Sequence, residues 1–163
     1  MIPRKLKTVK PLSFELCDVS PKTYAYSIGE LACDVGKFLY EYFNGSYSFY
    51  CDVPTSVKVY ASIDVLALLL RKAIECTLGA EMIDISIKTE HGYVLITINT
   101  GSAEMNEETV GKLSELSLNS GATLSVSGNQ LVYKTKILKM PIFDMRANNS
   151  RTLYRALIDW FSI

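Results

Sequence analysis

The chain has 163 residues, 48% hydrophobic and 21% charged, enough apolar content for one sizeable core and too little length to expect two independent domains. Lys+Arg and Asp+Glu both number 17, so the formal net charge is zero and no global field favours nucleic acid or an anionic membrane surface. Recognition of any partner therefore falls to local groups.

The N-terminal stretch carries Arg4, Lys5, Lys7 and Lys10 but no long apolar run, and Pro3 and Pro11 interrupt it. It reads as a solvated basic leader, with no signal peptide or membrane segment. Cys17, Cys33, Cys51 and Cys76 lie far apart without a C-x-x-C pair, which suits reduced thiols and a cytoplasmic location. With His91 as the single histidine there is no His/Cys cluster at metal-ligand spacing, so neither a structural nor a catalytic metal is expected.

In chain order, Leu12 to Cys17 is a candidate short strand, and Ser20-Pro21 marks a helix start with Ser20 as N-cap. Ile28, Leu31, Val35, Phe38, Leu39 and Tyr42 follow at helical spacing, with a stop near Asn44-Gly45. Tyr47 to Val53 alternates and should be a strand closed by Pro54, with a second from Val57 to Ala61. Tyr24, Tyr26, Tyr40, Tyr42, Tyr47 and Tyr50 cluster in this half and suit the edges of a core.

Ser62 is placed to cap a nearly all-apolar, hence buried, helix that Gly79 ends. Ile83 to Lys88 and Tyr93 to Asn99 alternate around Glu90-His91-Gly92 and predict a hairpin. Glu107 to Leu118 has helical period, with Asn119, Ser120 and Gly121 as its stop. Thr123 to Val126 and Gln130 to Leu138 form a last strand pair across Ser127-Gly128-Asn129. After Pro141, Ser150 is expected to cap a final amphipathic helix with Tyr154, Leu157, Trp160 and Phe161 on its apolar side.

This order alternates too little for a doubly wound parallel sheet and predicts an α+β fold: a two-layer sandwich, a mixed sheet with helices on one face. Residues 1–20 form the leader with its candidate edge strand, 21–140 the domain, and 141–163 a C-terminal extension.

The helix ending Leu69-Leu70-Arg71-Lys72-Ala73-Ile74-Glu75-Cys76-Thr77, the hairpin Ile83 to Ile98, and Asn99-Thr100-Gly101 at its end resemble, in that order, the GHKL ATPase superfamily, which includes the ATP-binding domain of sensor histidine kinases. The resemblance spans Leu31 to Leu138 in element order, with Val110 to Val126 similar to the helix-glycine-strand passage that closes the sheet. It implies a nucleotide pocket built on this helix and the loop after the hairpin. It places Lys72 where the family has its magnesium asparagine, with Ala73 following, and a shift of one helical turn would place Cys76 there. Neither suits a cation that requires oxygen ligands. Glu75 falls near the phosphate region. Asn99 takes the place of the adenine-binding aspartate and can accept a hydrogen bond only without the charge, and Gly101 keeps the first box glycine while the second becomes Ala103.

The family's glycine-rich lid is replaced by Glu104, Met105, Asn106, Glu107 and Glu108, which read as an ordinary helix N-terminus whose acids suit the dipole. Lys72, Glu75, Cys76, Asn99 and Gly101 thus outline a vestigial pocket, with no cofactor expected and at most weak ATP or ADP binding. His91, in a turn, is the sole candidate phosphoacceptor or general base, so autokinase chemistry is not expected. The sequence predicts a degenerate, non-catalytic histidine-kinase-like module that acts in bacterial signalling through a protein partner or self-association; Tyr154, Leu157, Trp160 and Phe161 read either as packing on the domain's own core or as candidate interface anchors. The alternative is a divergent ATPase or protein kinase that binds nucleotide without magnesium, using Lys72 as substitute cation.

Overall fold

A computed structural model describes residues 9, 12, 13, 19–77, 82–101, 103–139 and 151–162. Strand β1 (Tyr24–Ser27) runs straight into helix α1 (Ile28–Tyr42). The helix start expected at Ser20 is corrected to Ser27, whose Oγ accepts the Glu30 N–H at 3.1 Å. The preceding residues are extended because β1 pairs antiparallel with β3 (Lys58–Ala61), which satisfies main-chain groups that a helix would otherwise use, and buries Tyr26. Ser20 instead accepts the Ser62 hydroxyl at its carbonyl, at 2.6 Å. Of the strand expected over Leu12 to Cys17, only Leu12 and Ser13 are described, and neither belongs to a regular element.

Ile28, Leu31, Val35, Phe38 and Leu39 make the buried face of α1, as their spacing requires. Strand β2 (Ser46–Cys51) follows, then β3 and helix α2 (Ile63–Thr77), with Ser62 Oγ accepting the Val65 N–H at 3.3 Å. The expected stop at Gly79 lies outside the described residues. Strands β4 (Met82–Glu90) and β5 (Tyr93–Asn99) form the predicted hairpin. Its turn holds both His91 and Gly92 at positive φ, 50° and 83°, the geometry that matches the twist of the flanking strands.

Helix α3 (Glu107–Asn119) and the hairpin of β6 (Thr123–Ser127) and β7 (Gln130–Lys136) complete the sheet, whose order is β2-β4-β5-β7-β6. The β2–β4 pair is parallel and the others antiparallel. Ile83, Ile85, Ile87, Val94, Ile98 and Leu131 bury one sheet face beneath the helices, while the other carries polar groups such as the Ser48–Asp84 hydrogen bond at 2.7 Å.

Helix α4 (Leu153–Phe161) begins at Thr152, whose side chain accepts the Arg155 N–H; Ser150, the expected cap, lies outside the described residues. Leu153, Ala156, Leu157, Trp160 and Phe161 join the same core as α1, α2 and the sheet. This explains why α2 is apolar almost all round: the sheet lies on one side and α4 covers another.

Two glycines of α1 give opposite expectations. A methyl at Gly29 would sit 2.8 Å from Thr55 Cβ, and the Gly29 N–H already donates to the Thr55 carbonyl at 3.1 Å. Gly36 has only the Phe49 ring within reach, at 3.6 Å. In urea unfolding, Gly29→Ala should destabilise the chain by roughly 1–3 kcal/mol through overpacking. Gly36→Ala should stabilise it by roughly 0.5–1 kcal/mol through helix propensity.

Candidate functional site

The last turns of α2 place Arg71, Lys72, Glu75 and Cys76 within one helical repeat, so their side chains share neighbouring space. The side chains of Arg71, Lys72 and Glu75 are 3%, 8% and 9% exposed, so three charges are held nearly out of water and need partners. Lys72 Nζ lies 3.3 Å from Glu75 Oε2 and donates to the Leu12 carbonyl. Glu75 Oε1 accepts the Leu12 N–H at 2.9 Å. Arg71 Nε stands 3.6 Å from Glu75 Oε2, and its Nη1 donates to the Trp160 carbonyl in the last turn of α4. That puts a cation at the negative end of the α4 dipole, with the guanidinium 5.3 Å over the Phe161 ring.

Cys76, one turn after Lys72, meets the loop after β5. Burial pushes the Cys76 thiol up, with a hydrogen bond from Thr100 acting in the opposite sense. The Thr100 hydroxyl lies 2.7 Å from the Ala103 carbonyl and 3.0 Å from that of Asn129, which ties the loop to the β6–β7 turn. Asn99 Oδ1 accepts the Gly101 N–H at 2.9 Å, and Gly101 takes a φ of 70°. Asn99 therefore closes its own turn with the oxygen that the resemblance assigned to adenine. The chain reaches α3 directly from there, with Asn106 Oδ1 accepting the Thr109 N–H at 2.8 Å as an N-cap and Glu107 and Glu108 in the first helical turn.

The structure thus brings Lys72 and Glu75 together as an ion pair, and Cys76, one turn after Lys72, against Thr100 of the loop after β5. These residues do not fit Mg-ATP. Magnesium requires oxygen ligands, and the position where the resemblance implies an amide oxygen carries an ammonium already paired with Glu75. Among the described residues no group of three or more His, Cys, Asp or Glu side chains is placed to hold a metal ion. The described segment from Ala103 to Glu108 has no glycine-rich turn whose N–H groups could wrap phosphates, and its carboxylates oppose an anion.

Burial decides between the two readings of the α4 stripe and corrects the interface one. Leu157, Trp160 and Phe161 are 1%, 6% and 7% exposed within this chain, so they anchor α4 to its own core and present no free surface. Tyr154 is half-buried: its hydroxyl donates to Glu41 and Lys37 lies 4.3 Å over its ring, both from α1. The first turn of α4 is held from α1 as well, since Asp34 Oδ2 accepts the Tyr154 N–H at 3.2 Å. His91 is exposed in its turn.

Neither a protein-family profile nor a curated protein sequence matches this chain. Solved structures do. The histidine kinase ThkA in complex with the response regulator protein TrrA matches at a TM-score of 0.51 and 21% identity, over 71% of this chain and 41% of that one. The Acinetobacter baumannii histidine kinase AdeS matches at 0.48 and 15%, over 71% of this chain and 66% of that one. The nucleotide-free catalytic domain of ThkA matches at 0.45 and 15%, over 74% and 99% respectively. The chain therefore spans less than two thirds of AdeS and under half of the ThkA chain in that complex. The fold is that of histidine kinase ATPase domains, an α+β sandwich with a mixed five-stranded sheet, as the element order implied.

Sequence reasoning missed Arg71, Leu12 and Asp34. The signal for the first was available: two cations and a carboxylate three and four residues apart at the end of an apolar helix need a shared burial scheme. Leu12 and Asp34 act through contacts distant in sequence, and no local pattern marks them.

Glu75→Ala should leave the buried cations without their carboxylate and cost about 3–5 kcal/mol in urea unfolding. Glu75→Gln keeps an acceptor for the Leu12 N–H and should cost less.

A second expectation concerns pH. Burial holds the Asp34 carboxyl above the ordinary range, against the lowering effect of the Tyr154 and Leu153 N–H groups, with Glu30 raising it further. The folded state thus binds this proton more tightly than the unfolded chain. The resulting stability is full below the ordinary carboxylate pKa of about 4 and is lost as pH rises through the elevated value. Unfolding free energies of Asp34→Asn, measured against the unaltered chain, should shift in favour of the variant as pH rises through that window.

Proposed function

We propose that this chain is a histidine-kinase-like module that has given up Mg-ATP and works in bacterial two-component-type signalling, in the cytoplasm, through protein contacts. The observation that carries this reading is the Lys72–Glu75 pair, 3.3 Å apart and engaged with both main-chain polar groups of Leu12, at the position that the resemblance assigns to magnesium and phosphates. It is supported by Asn99, whose acceptor oxygen closes a turn onto Gly101, and by the short acidic passage into α3. The similarly folded ThkA was solved with a response regulator protein, which makes a receiver-type signalling domain a partner class to try first.

The competing idea, metal-free nucleotide binding with Lys72 as the cation, would require the ammonium to leave Glu75 and the Leu12 carbonyl, exposing a buried carboxylate to an incoming triphosphate. The pair therefore weighs against it. ATP and ADP belong to the fold's ancestry and are not expected to be this chain's cofactors.

Thermal unfolding with and without Mg-ATP or Mg-ADP tests the reading. A ligand at about a hundred times its Kd stabilises the folded state by about 2.7 kcal/mol, so a binder raises Tm visibly. Millimolar nucleotide should leave Tm unchanged; a saturable rise abolished by Lys72→Ala would establish the nucleotide-binding alternative instead.

A further inference from the structure

The apolar part of the surface lies where α1 runs over β2. Four of the five exposed large hydrophobic side chains among the described residues gather there: Tyr40 on α1, Tyr47 and Tyr50 on β2, and Met82, whose register partner on β2 is Ser46. Strand β2 is also an edge, since among the described residues it pairs with β4 alone. The Asp52 N–H donates to the Ile87 carbonyl at 2.8 Å, so the main chain of Ser48 and Tyr50, in phase with Asp52, faces β4. The N–H and C=O groups of Tyr47, Phe49 and Cys51 therefore point away from the sheet.

Sheet edges are ordinarily guarded by a charge, a proline or a bulge. Strand β2 has none of these: it reads Ser-Tyr-Ser-Phe-Tyr-Cys, and its register with β4 is unbroken from Ser46 to Cys51. The strip of α1 above it is uncharged as well. Gly36 faces the Phe49 ring, Phe43 packs edge-on to Tyr47, and Tyr40 falls between them on the same helical stripe, while Lys37 and Glu41 turn to Tyr154 on α4. The opposite edge strand, β6, has no aromatic residue.

A second copy of this chain fits the β2 edge. The outward groups are centred on Phe49, so a two-fold axis there sets Phe49 opposite its counterpart and Tyr47 opposite Cys51 of the other copy, and one strand satisfies every outward group. In that register the helix-side residues of β2, which run beside Ile83, Ile85 and Ile87, meet the helix-side residues of the copy. No like charges oppose each other, because the first charged residue, Asp52, falls opposite Ser46 of the other copy. The zero net charge of the chain adds no repulsion between whole molecules.

We propose that β2 is a dimerisation edge that pairs antiparallel with β2 of a second copy about a two-fold axis at Phe49, joining two five-stranded sheets into one. For its signalling role the dimer rests on the protein-contact reading above, to which it gives a surface and a partner.

Sedimentation of the full chain should show monomer giving way to dimer as concentration rises towards about 1 mM, the weak range that suits a small interface. Amide exchange of the labelled chain locates the contact: protection at Tyr47, Phe49 and Cys51 should rise about tenfold or more over the same range, with Ser48 and Tyr50 protected throughout. Tyr47→Pro removes an outward N–H and no bond to β4, so it should weaken the dimer about tenfold or more relative to Tyr47→Thr, which keeps that N–H. A chain that stays monomeric overturns the proposal and leaves the edge to another protein's strand. A dimer whose three outward amides exchange at the unprotected rate overturns it too, as does equal association of the two folded variants. Should Tyr47→Pro unfold, sedimentation and exchange of the unaltered chain decide. A nucleotide-dependent rise in Tm would refute the proposed loss of Mg-ATP binding and leave the dimer standing, so the two failures are distinct.

Discussion

Three charges buried at the end of α2 set the terms for everything around them. Arg71, Lys72 and Glu75 sit on a helix that is apolar from Val65 to Leu70, and taking them out of water costs several kcal/mol per ion unless every charge finds partners. The fold meets that requirement with its own ends. The leader contributes the main chain of Leu12, and α4 contributes the Trp160 carbonyl and the Phe161 ring. Leu12 and the last turn of α4 are both held against α2 by the charges they satisfy.

Two chemically different solutions to one geometric position follow. A magnesium site needs an oxygen ligand on this turn and mobile N–H groups beyond the hairpin. This chain has an ion pair on the turn, and beyond the hairpin a loop closed by Asn99 on Gly101 and tied through Thr100 to the β6–β7 turn. Lys72, Glu75 and Asn99, the residues that the resemblance assigns to a nucleotide pocket, are each engaged in an internal hydrogen bond or salt bridge.

The fold was legible where period and turn chemistry agree. The β4–β5 hairpin followed from alternation flanking His91-Gly92, α1 from its three- and four-residue spacing, and α2 from its continuous apolar run. The start of α1 was not, because Tyr24–Ser27 is extended only through its ladder with β3, a partner more than thirty residues away in the chain. The stripe on α4 was legible as an apolar face that either packs on its own core or anchors a partner, and burial selects the first, because amphipathic pattern says which face is buried and is silent on what covers it. At the site, the unsuitability of Lys72 for magnesium followed from its chemistry alone, whereas its engagement with Leu12 depends on a contact between residues sixty positions apart.

The central claim is that this pocket is closed by the protein's own groups. The most direct measurement is a titration of the isotopically labelled full chain with Mg-ADP, followed by amide NMR at Leu12, Cys76, Thr100 and Gly101. The account predicts that these four resonances stay in place up to millimolar nucleotide. Saturable movement of Cys76, Thr100 and Gly101 together, with displacement of Leu12, would contradict it.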